Sequence, residues 1–278
     1  METPVPDTKE TPVEISVLLP TRGRTESLQR SIMSLVTNAD DPSRIEILLA
    51  FDNDDTVSSS WFQSNIADQI TKAGVQYTAW ELPRMGYIRL NEYVNYLARQ
   101  SRGRWLMFWN DDAVMESAGW DLSISQEQDF YVLRIPTHHD HPYAIFPIVP
   151  RAWYDLFGYI SAHQISDAWV SQIAYMLDII KNIDVKVTHD RHDLTGNNKD
   201  TTYDQRIMLE GRPDDPRDFN HQDWRLRRTY DASQICKMLE SQGRDMSWFR
   251  AVLKGQQDPW AKMCSPEYDP NHQLSIYK

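Results

Sequence analysis

Ile15-Ser-Val-Leu-Leu-Pro20-Thr-Arg-Gly-Arg24 is the stretch that decides the fold. Its apolar run is short and halted by Pro20, which has no N–H for a central ladder, so residues 15–19 read as a buried strand. Beyond the polar Thr21-Arg-Gly-Arg-Thr25, the residues Leu28, Ile32, Leu35 and Val36 recur at the spacing of one helix face. Asp40-Asp-Pro-Ser43 breaks that helix. The unit then repeats. Ile45-Glu-Ile-Leu-Leu-Ala-Phe51 is a second buried strand ending in Asp52-Asn-Asp-Asp55, followed by a helix around 59–72 and a short strand at 75–80. Leu90, Tyr93, Val94, Leu97 and Ala98 form another helical face, and Trp105-Leu-Met-Phe-Trp109 another strand, ending in Asn110-Asp-Asp112. Such alternation, with strands apolar on both faces, predicts an α/β fold: a mostly parallel sheet with helices on both faces and right-handed crossovers.

Outward from this core the pattern loosens. A strand is expected at 143–149, a helix at 167–180, a strand at 183–187, turns over 195–223 and helix over 229–254, giving an irregular and helical C-terminal region. Residues 1–13, rich in Thr, Pro and charge, read as a mobile leader. The chain has 278 residues, 41% hydrophobic and 25% charged, in the range of soluble globular proteins. No run approaches the roughly 18 apolar residues of a membrane span, and the start lacks the layout of a secretory signal. No membrane insertion, no signal peptide and a cytoplasmic location are expected. Cys236 and Cys264 make neither a disulfide framework nor a thiolate metal site. The net charge of −11 argues against a broad nucleic-acid footprint.

In open parallel sheets ligands bind beyond the carboxyl ends of the strands. Three such ends carry polar clusters here: Thr21-Arg22-Gly23-Arg24, Asp52-Asn53-Asp54-Asp55 and Asn110-Asp111-Asp112. Capped, solvated turns would account for either acidic cluster alone. Both on neighbouring strands point to a hard divalent cation, Mg²⁺ or Mn²⁺, held by oxygen ligands and bridging to a phosphate. Arg22 and Arg24 supply the complementary positive charge.

Taken in order, Pro20-Thr-Arg-Gly-Arg24, Phe51-Asp-Asn-Asp-Asp55, Gly86-Tyr-Ile-Arg-Leu-Asn91 and Gly103-Arg-Trp-Leu-Met-Phe-Trp-Asn-Asp-Asp112 resemble the motifs of family-2-like glycosyltransferases of the GT-A fold. The resemblance covers about residues 14–125, with weaker echoes to about 205. It implies a nucleotide-sugar-binding half at 14–125, an acceptor-binding half at 126–205 and a C-terminal helical extension at 206–278. It also implies a metal-dependent, inverting hexosyl- or pentosyltransferase using a nucleotide sugar, UDP-linked by family habit. Thr21 and Arg22 match the motif that lines the nucleotide, Asp52 the acid that reads uracil or ribose, and Arg89 and Asn91 the pair upstream of the metal motif. Asn110-Asp111-Asp112 matches the Asp-x-Asp element, with Asn110 departing from the commoner Asp, so Asp112 is the main metal ligand. The general base matches Asp167, which opens the expected helix and is equally suited to capping it. A late histidine ligand matches His189, with His192 behind it. The run from Val187 through Asn198, Asp200 and Tyr203 resembles phage-type members.

The acceptor is open: a glycan, a protein, a small molecule or a modified DNA base, the last requiring base flipping within a duplex. Two other functions compete. A nucleotidyltransferase calls for a longer Gly-rich loop than the lone Gly23 provides. A non-catalytic nucleotide- or sugar-binding domain is compatible with Asn110. His138-His139-Asp140-His141 has the spacing of a surface loop rather than a zinc set. Trp153, Tyr154 and Trp169 suit the core as well as a sugar platform. Trp224-Arg-Leu-Arg-Arg-Thr-Tyr230 reads as a solvated helix face or a phosphate-tracking patch.

Overall fold

A computed structural model of the chain describes residues 12–137, 141–190 and 214–263. Along the first half run β1 (Ile15–Thr21), α1 (Thr25–Asn38), β2 (Ile45–Asp52), α2 (Thr56–Asn65), α3 (Ala67–Lys72), β3 (Gln76–Leu82), α4 (Leu90–Gln100) and β4 (Trp105–Phe108). There follow β5 (Ala113–Met115), α5 (Trp120–Ser125), β6 (Val132–Arg134), β7 (Ile148–Pro150), α6 (Arg151–Phe157), α7 (Ser166–Leu177), β8 (Ile180–Asn182) and β9 (Val187–His189). Three further helices, α8 (Gln222–Ser241), α9 (Ser247–Leu253) and α10 (Pro259–Met263), complete the described part.

Seven strands form one sheet in the order β3-β2-β1-β4-β7-β6-β8, in which only β7 runs against the others. The mostly parallel α/β sheet is thus as expected. Alternate residues of β1 face opposite layers. Ile15, Val17 and Leu19 pack with Leu28 and Ile32 of α1, Phe62 of α2 and Ile70 of α3. Leu18 joins Leu97 of α4, Trp169 and Ile173 of α7, and Ile235 and Leu239 of α8. Each such aliphatic side chain contributes about 1.5–3 kcal/mol on full burial, and coverage of both faces explains the unbroken apolar strands. Gly103 lies so close to β1 that a Cβ there would stand 2.6 Å from the Ser16 backbone nitrogen. Among the described residues no helix is long and apolar enough to cross a membrane.

Several boundaries differ from the expected ones, each for a local reason. The helix expected at 59–72 begins at Thr56, because the Asp55 side chain accepts from Ser58 N–H at 3.3 Å, and it is divided at Ile66. The strand expected at 143–149 shrinks to β7. Ala144 gives its N–H to Ser171 Oγ at 2.9 Å, and Pro147 has none to give. The expected 167–180 helix stops at Leu177, where Asp178 turns left-handed at φ +56°. In place of the 183–187 strand, β8 ends at Asn182 and β9 starts at Val187. Helix α8 starts earlier than 229, with His221 Nδ1 accepting from Asp223 N–H, and ends at a turn containing Gly243.

Candidate active site

Strand β1 lies between β2 and β4, so residues 21–24 leave the sheet with Asp52 on one side and Asn110–Asp112 on the other. On ordinary strand spacing the two flanking strands stand about 10 Å apart. The segment bonds to both. Thr21 Oγ1 donates to Asp111 Oδ2 at 2.7 Å, and Arg22 Nη1 donates to Asp52 Oδ2 at 2.8 Å while also pairing with Asp54. Arg24 bridges the other cluster, Nη2 to Asp111 Oδ1 at 2.6 Å and Nη1 to Asp112 Oδ2 at 3.2 Å. Between the two arginines Gly23 takes φ +68°, the left-handed region glycine enters freely, and its N–H donates to Asp55 Oδ2 at 2.7 Å. Helix α1 fixes the acidic turn from behind: Ser27 Oγ donates to Asp111 O at 2.8 Å and Ser31 Oγ to Asn110 O at 3.0 Å.

His189 arrives from far along the chain. Strand β9 pairs antiparallel with β5, setting His189 opposite Ala113, and Asp190 N–H donates to Asp112 O at 2.8 Å. This pairing places His189 Nε2 3.2 Å from Asp112 Oδ1, with the two side chains only 6% and 8% exposed. The two atoms form a close ion-pair contact, and among the described residues neither has a further hydrogen-bond partner. Two buried polar atoms satisfied only by each other have capacity left for a ligand or an ion. Burial pushes the Asp112 carboxyl up, but the His189 ring and the Arg24 guanidinium outweigh it and hold that carboxyl below the ordinary carboxylate range. A carboxylate oxygen and an imidazole nitrogen side by side suit Mn²⁺ or Mg²⁺. Among the described residues no group of three or more His, Cys, Asp or Glu side chains surrounds one point. A cation here would therefore take the rest of its shell from water and substrate phosphate, as Mg²⁺ commonly does.

Asp52 has a partner that helical spacing disguised as a plain core position. The Tyr93 hydroxyl donates to Asp52 Oδ1 and accepts from Met85 N–H at 2.7 Å. Burial, followed by the Asp52 contact, pushes its phenol up to about 12. Asp54 belongs to the acidic cluster that ends β2, whereas Ser27 and Ser31 carry no sequence signal, since nothing in their spacing separates a site residue from a helix residue.

The remaining expected residues are less tightly gathered. Asn110 is exposed at the rim. Arg89 is exposed and held by Glu92 at 2.5 Å, and Asn91 Nδ2 donates to Ser161 O at 3.3 Å, so neither bonds to the acidic clusters. The Asn91 contact, with Asn95 Nδ2 to the same oxygen at 2.8 Å, ties the loop before α7 to the start of α4. Helix α7 leads into β8, which runs parallel to β1's direction, so α7 opens on the edge that carries the clusters. Asp167, half-buried in its first turn, accepts from Ala168 N–H at 2.8 Å. Trp153 and Trp169 are fully buried core residues, and in the basic–aromatic stretch Arg228 is buried against the Phe219 ring at 4.0 Å. His138, His139, Asp140, His192, Asn198, Asp200 and Tyr203 lie outside the described residues.

No family model and no curated protein matches the chain. Solved structures do. A mannosyltransferase from Pyrobaculum calidifontis, in complex with GDP-Man and Mn²⁺, aligns over 94% of this chain and 84% of its own at 11% identity, with a TM-score of 0.50. TarS of S. aureus aligns over 64% of this chain at 15% identity and TM-score 0.45, and this chain spans 36% of it. TarS 1–349 in complex with UDP aligns over 66% of this chain and 62% of its own, at 14% identity and TM-score 0.46. The mannosyltransferase alignment shows the fold, and the chain has the GT-A architecture its four motifs led us to expect.

Proposed function

We propose that the chain is a metal-dependent, inverting glycosyltransferase that moves a sugar from a nucleotide-sugar donor, UDP-linked, to an acceptor hydroxyl. The observation that carries this reading is the buried Asp112 Oδ1 and His189 Nε2 pair, 3.2 Å apart and with no further hydrogen-bond partner among the described residues, on the strand edge where α/β sheets bind ligands. Asp112 and His189 would hold Mn²⁺ or Mg²⁺, which would supply positive charge to the leaving diphosphate. Arg22 and Arg24 add positive charge at the same edge, where negative charge develops on the leaving diphosphate. Thr21 keeps Asp111 oriented. Asp52, held between Arg22 and Tyr93, lines the nucleoside end, with Asn110 at the rim and Arg89 and Asn91 at the mouth of α4. Asp167 takes the proton from the acceptor hydroxyl, and attack opposite the leaving group inverts the sugar.

The test combines binding with turnover. UDP should raise the melting temperature only when Mn²⁺ or Mg²⁺ is present, since a ligand stabilises by its affinity for the folded state. A panel of nucleotide sugars with glycan, peptide, small-molecule and hydroxylated-DNA acceptors should then release free UDP from one donor. Stabilisation by UDP that ignores the metal, with no nucleotide released from any donor, would sink the reading.

A further inference from the structure

We infer that Arg24 is a built-in counter-cation for the metal-binding carboxylates, one that a divalent ion must displace, so that metal and nucleoside diphosphate are taken up together and not in turn. The inference rests on the metal site proposed above and concerns this chain's own arginine. Arg24 reaches both members of the acidic pair, at 2.6 Å to Asp111 and 3.2 Å to Asp112. Those carboxylates are 1% and 8% exposed in their side chains, whereas Arg24 is 24% exposed. The buried acids are therefore served by a cation less deeply buried than they are, on a long side chain rooted at the cap position before α1.

Charge counting gives the consequence. Among the described residues, one guanidinium against two carboxylates leaves a single negative charge, too little to hold a bare divalent ion well. Adding that ion beside Arg24 makes the cluster net positive, and like charges a few ångströms apart repel strongly in a partly buried site. A diphosphate reverses the balance, because it accepts both the metal and the released guanidinium, for which Arg is well matched. Arg22 does not share the role: its partners are Asp52 and Asp54, across β1.

The experiment is Mn²⁺ titration of the full chain by calorimetry and by the loss of free-Mn²⁺ electron-spin signal, with and without UDP. Wild type should bind Mn²⁺ weakly alone and at least roughly tenfold more tightly with UDP. Arg24→Gln should bind Mn²⁺ alone at least roughly tenfold more tightly than wild type, bind UDP–Mn²⁺ more weakly, and lose most of the UDP dependence. Arg24→Lys, which keeps a cation, should stay close to wild type in Mn²⁺ affinity without UDP. Should Arg24→Gln be poorly folded without metal, the Mn²⁺-induced rise in its melting temperature should exceed that of wild type, the same sign by another measurement. Unchanged or weakened metal-only affinity in Arg24→Gln overturns the inference while leaving the metal site standing. Absence of Mn²⁺ binding in both proteins even with UDP overturns the metal site and the inference with it.

Discussion

Two buried aspartates show how differently this molecule treats negative charge. Asp112 sits at the strand edge and Asp231 on α8, exposed 6% and 0% respectively. Burial pushes both carboxyls up. At Asp112 the His189 ring and Arg24 overcome it, and the carboxyl ends below its ordinary value. At Asp231 burial prevails over Tyr159 and Arg227, and the carboxyl ends above it. The bonding differs in the same sense. Both Asp231 oxygens accept from the Tyr159 hydroxyl at 2.9 Å, and Oδ1 also from Arg227 at 3.2 Å. Asp112 Oδ1 has, among the described residues, only its 3.2 Å contact to His189. The Asp231 network ties α8 to Tyr159, whereas the Asp112 carboxylate stays charged with one oxygen lightly engaged. Burial of an acid alone does not tell the two apart.

The comparison breaks most plainly at Asp112. Replacing it by Asn should abolish both turnover and the metal-dependent stabilisation by UDP, while Asp231→Asn should leave that stabilisation in place. Melting curves with UDP, with and without Mn²⁺, decide it, and a retained shift in Asp112→Asn would remove Asp112 from the site. A step smaller, Asp167→Asn should lower transfer by about 10²–10⁴-fold, the usual worth of a general base, with UDP–Mn²⁺ binding retained. Normal transfer by that variant would remove Asp167 as the general base.

These residues also mark how far the sequence could be read. Strands β1, β2 and β4 were legible because they are buried on both faces, and their polar ends because a parallel sheet gathers carboxyl termini on one edge. His189 could be nominated only by resemblance. What brings it to Asp112 is the β5–β9 pairing, between strands of three residues each whose partners lie more than 70 positions apart. Such pairing leaves no local periodicity. Tyr93 was hidden for the opposite reason: its ring obeys the helical spacing of a core residue, and only its hydroxyl reaches Asp52. The second half was harder still. Ala144 and Pro147 give no ladder hydrogen bonds, so an apolar run that looks like a strand is mostly not one.

The interface that contains Asp231 offers a pH test of intermediate size. His163 is buried edge-on to Phe219 and Trp224, with ring centroids 5.2 Å away in each case. Its Nδ1 accepts from Ile165 N–H at 3.2 Å, which leaves Nε2 to donate to Arg217 O at 3.1 Å, the neutral tautomer fully used. Burial pushes its pKa down from 6.5 to about 4. The unfolded chain thus binds a proton that the folded one refuses. Stability from this residue is fully present above pH 6.5 and is lost as pH falls toward 4, by about 3 kcal/mol in all. Denaturant unfolding between pH 7 and 4 should show the decline, and His163→Gln, though less stable at pH 7, should show a flatter one. An equally steep decline in the variant would assign the effect to other groups.

The smallest effect sharpens the comparison from the other side. Asp231→Asn keeps the shape of the side chain and an oxygen for Tyr159 or Arg227, while giving up the carboxylate. A carboxyl already raised by its burial gains little from being charged, so the loss should be about 1–2 kcal/mol, near that of a buried hydrogen bond and below that of a broken buried ion pair. Arg227 keeps its contact to the Tyr159 hydroxyl at 2.7 Å and is half in solvent, so it is not left stranded. The cost should appear in denaturant midpoints and leave UDP–Mn²⁺ affinity unchanged. A loss of 4 kcal/mol or more, roughly that of a stranded buried charge, would mean that Asp231 is held as firmly ionised as Asp112, and the contrast between the closed cluster and the open one would fail.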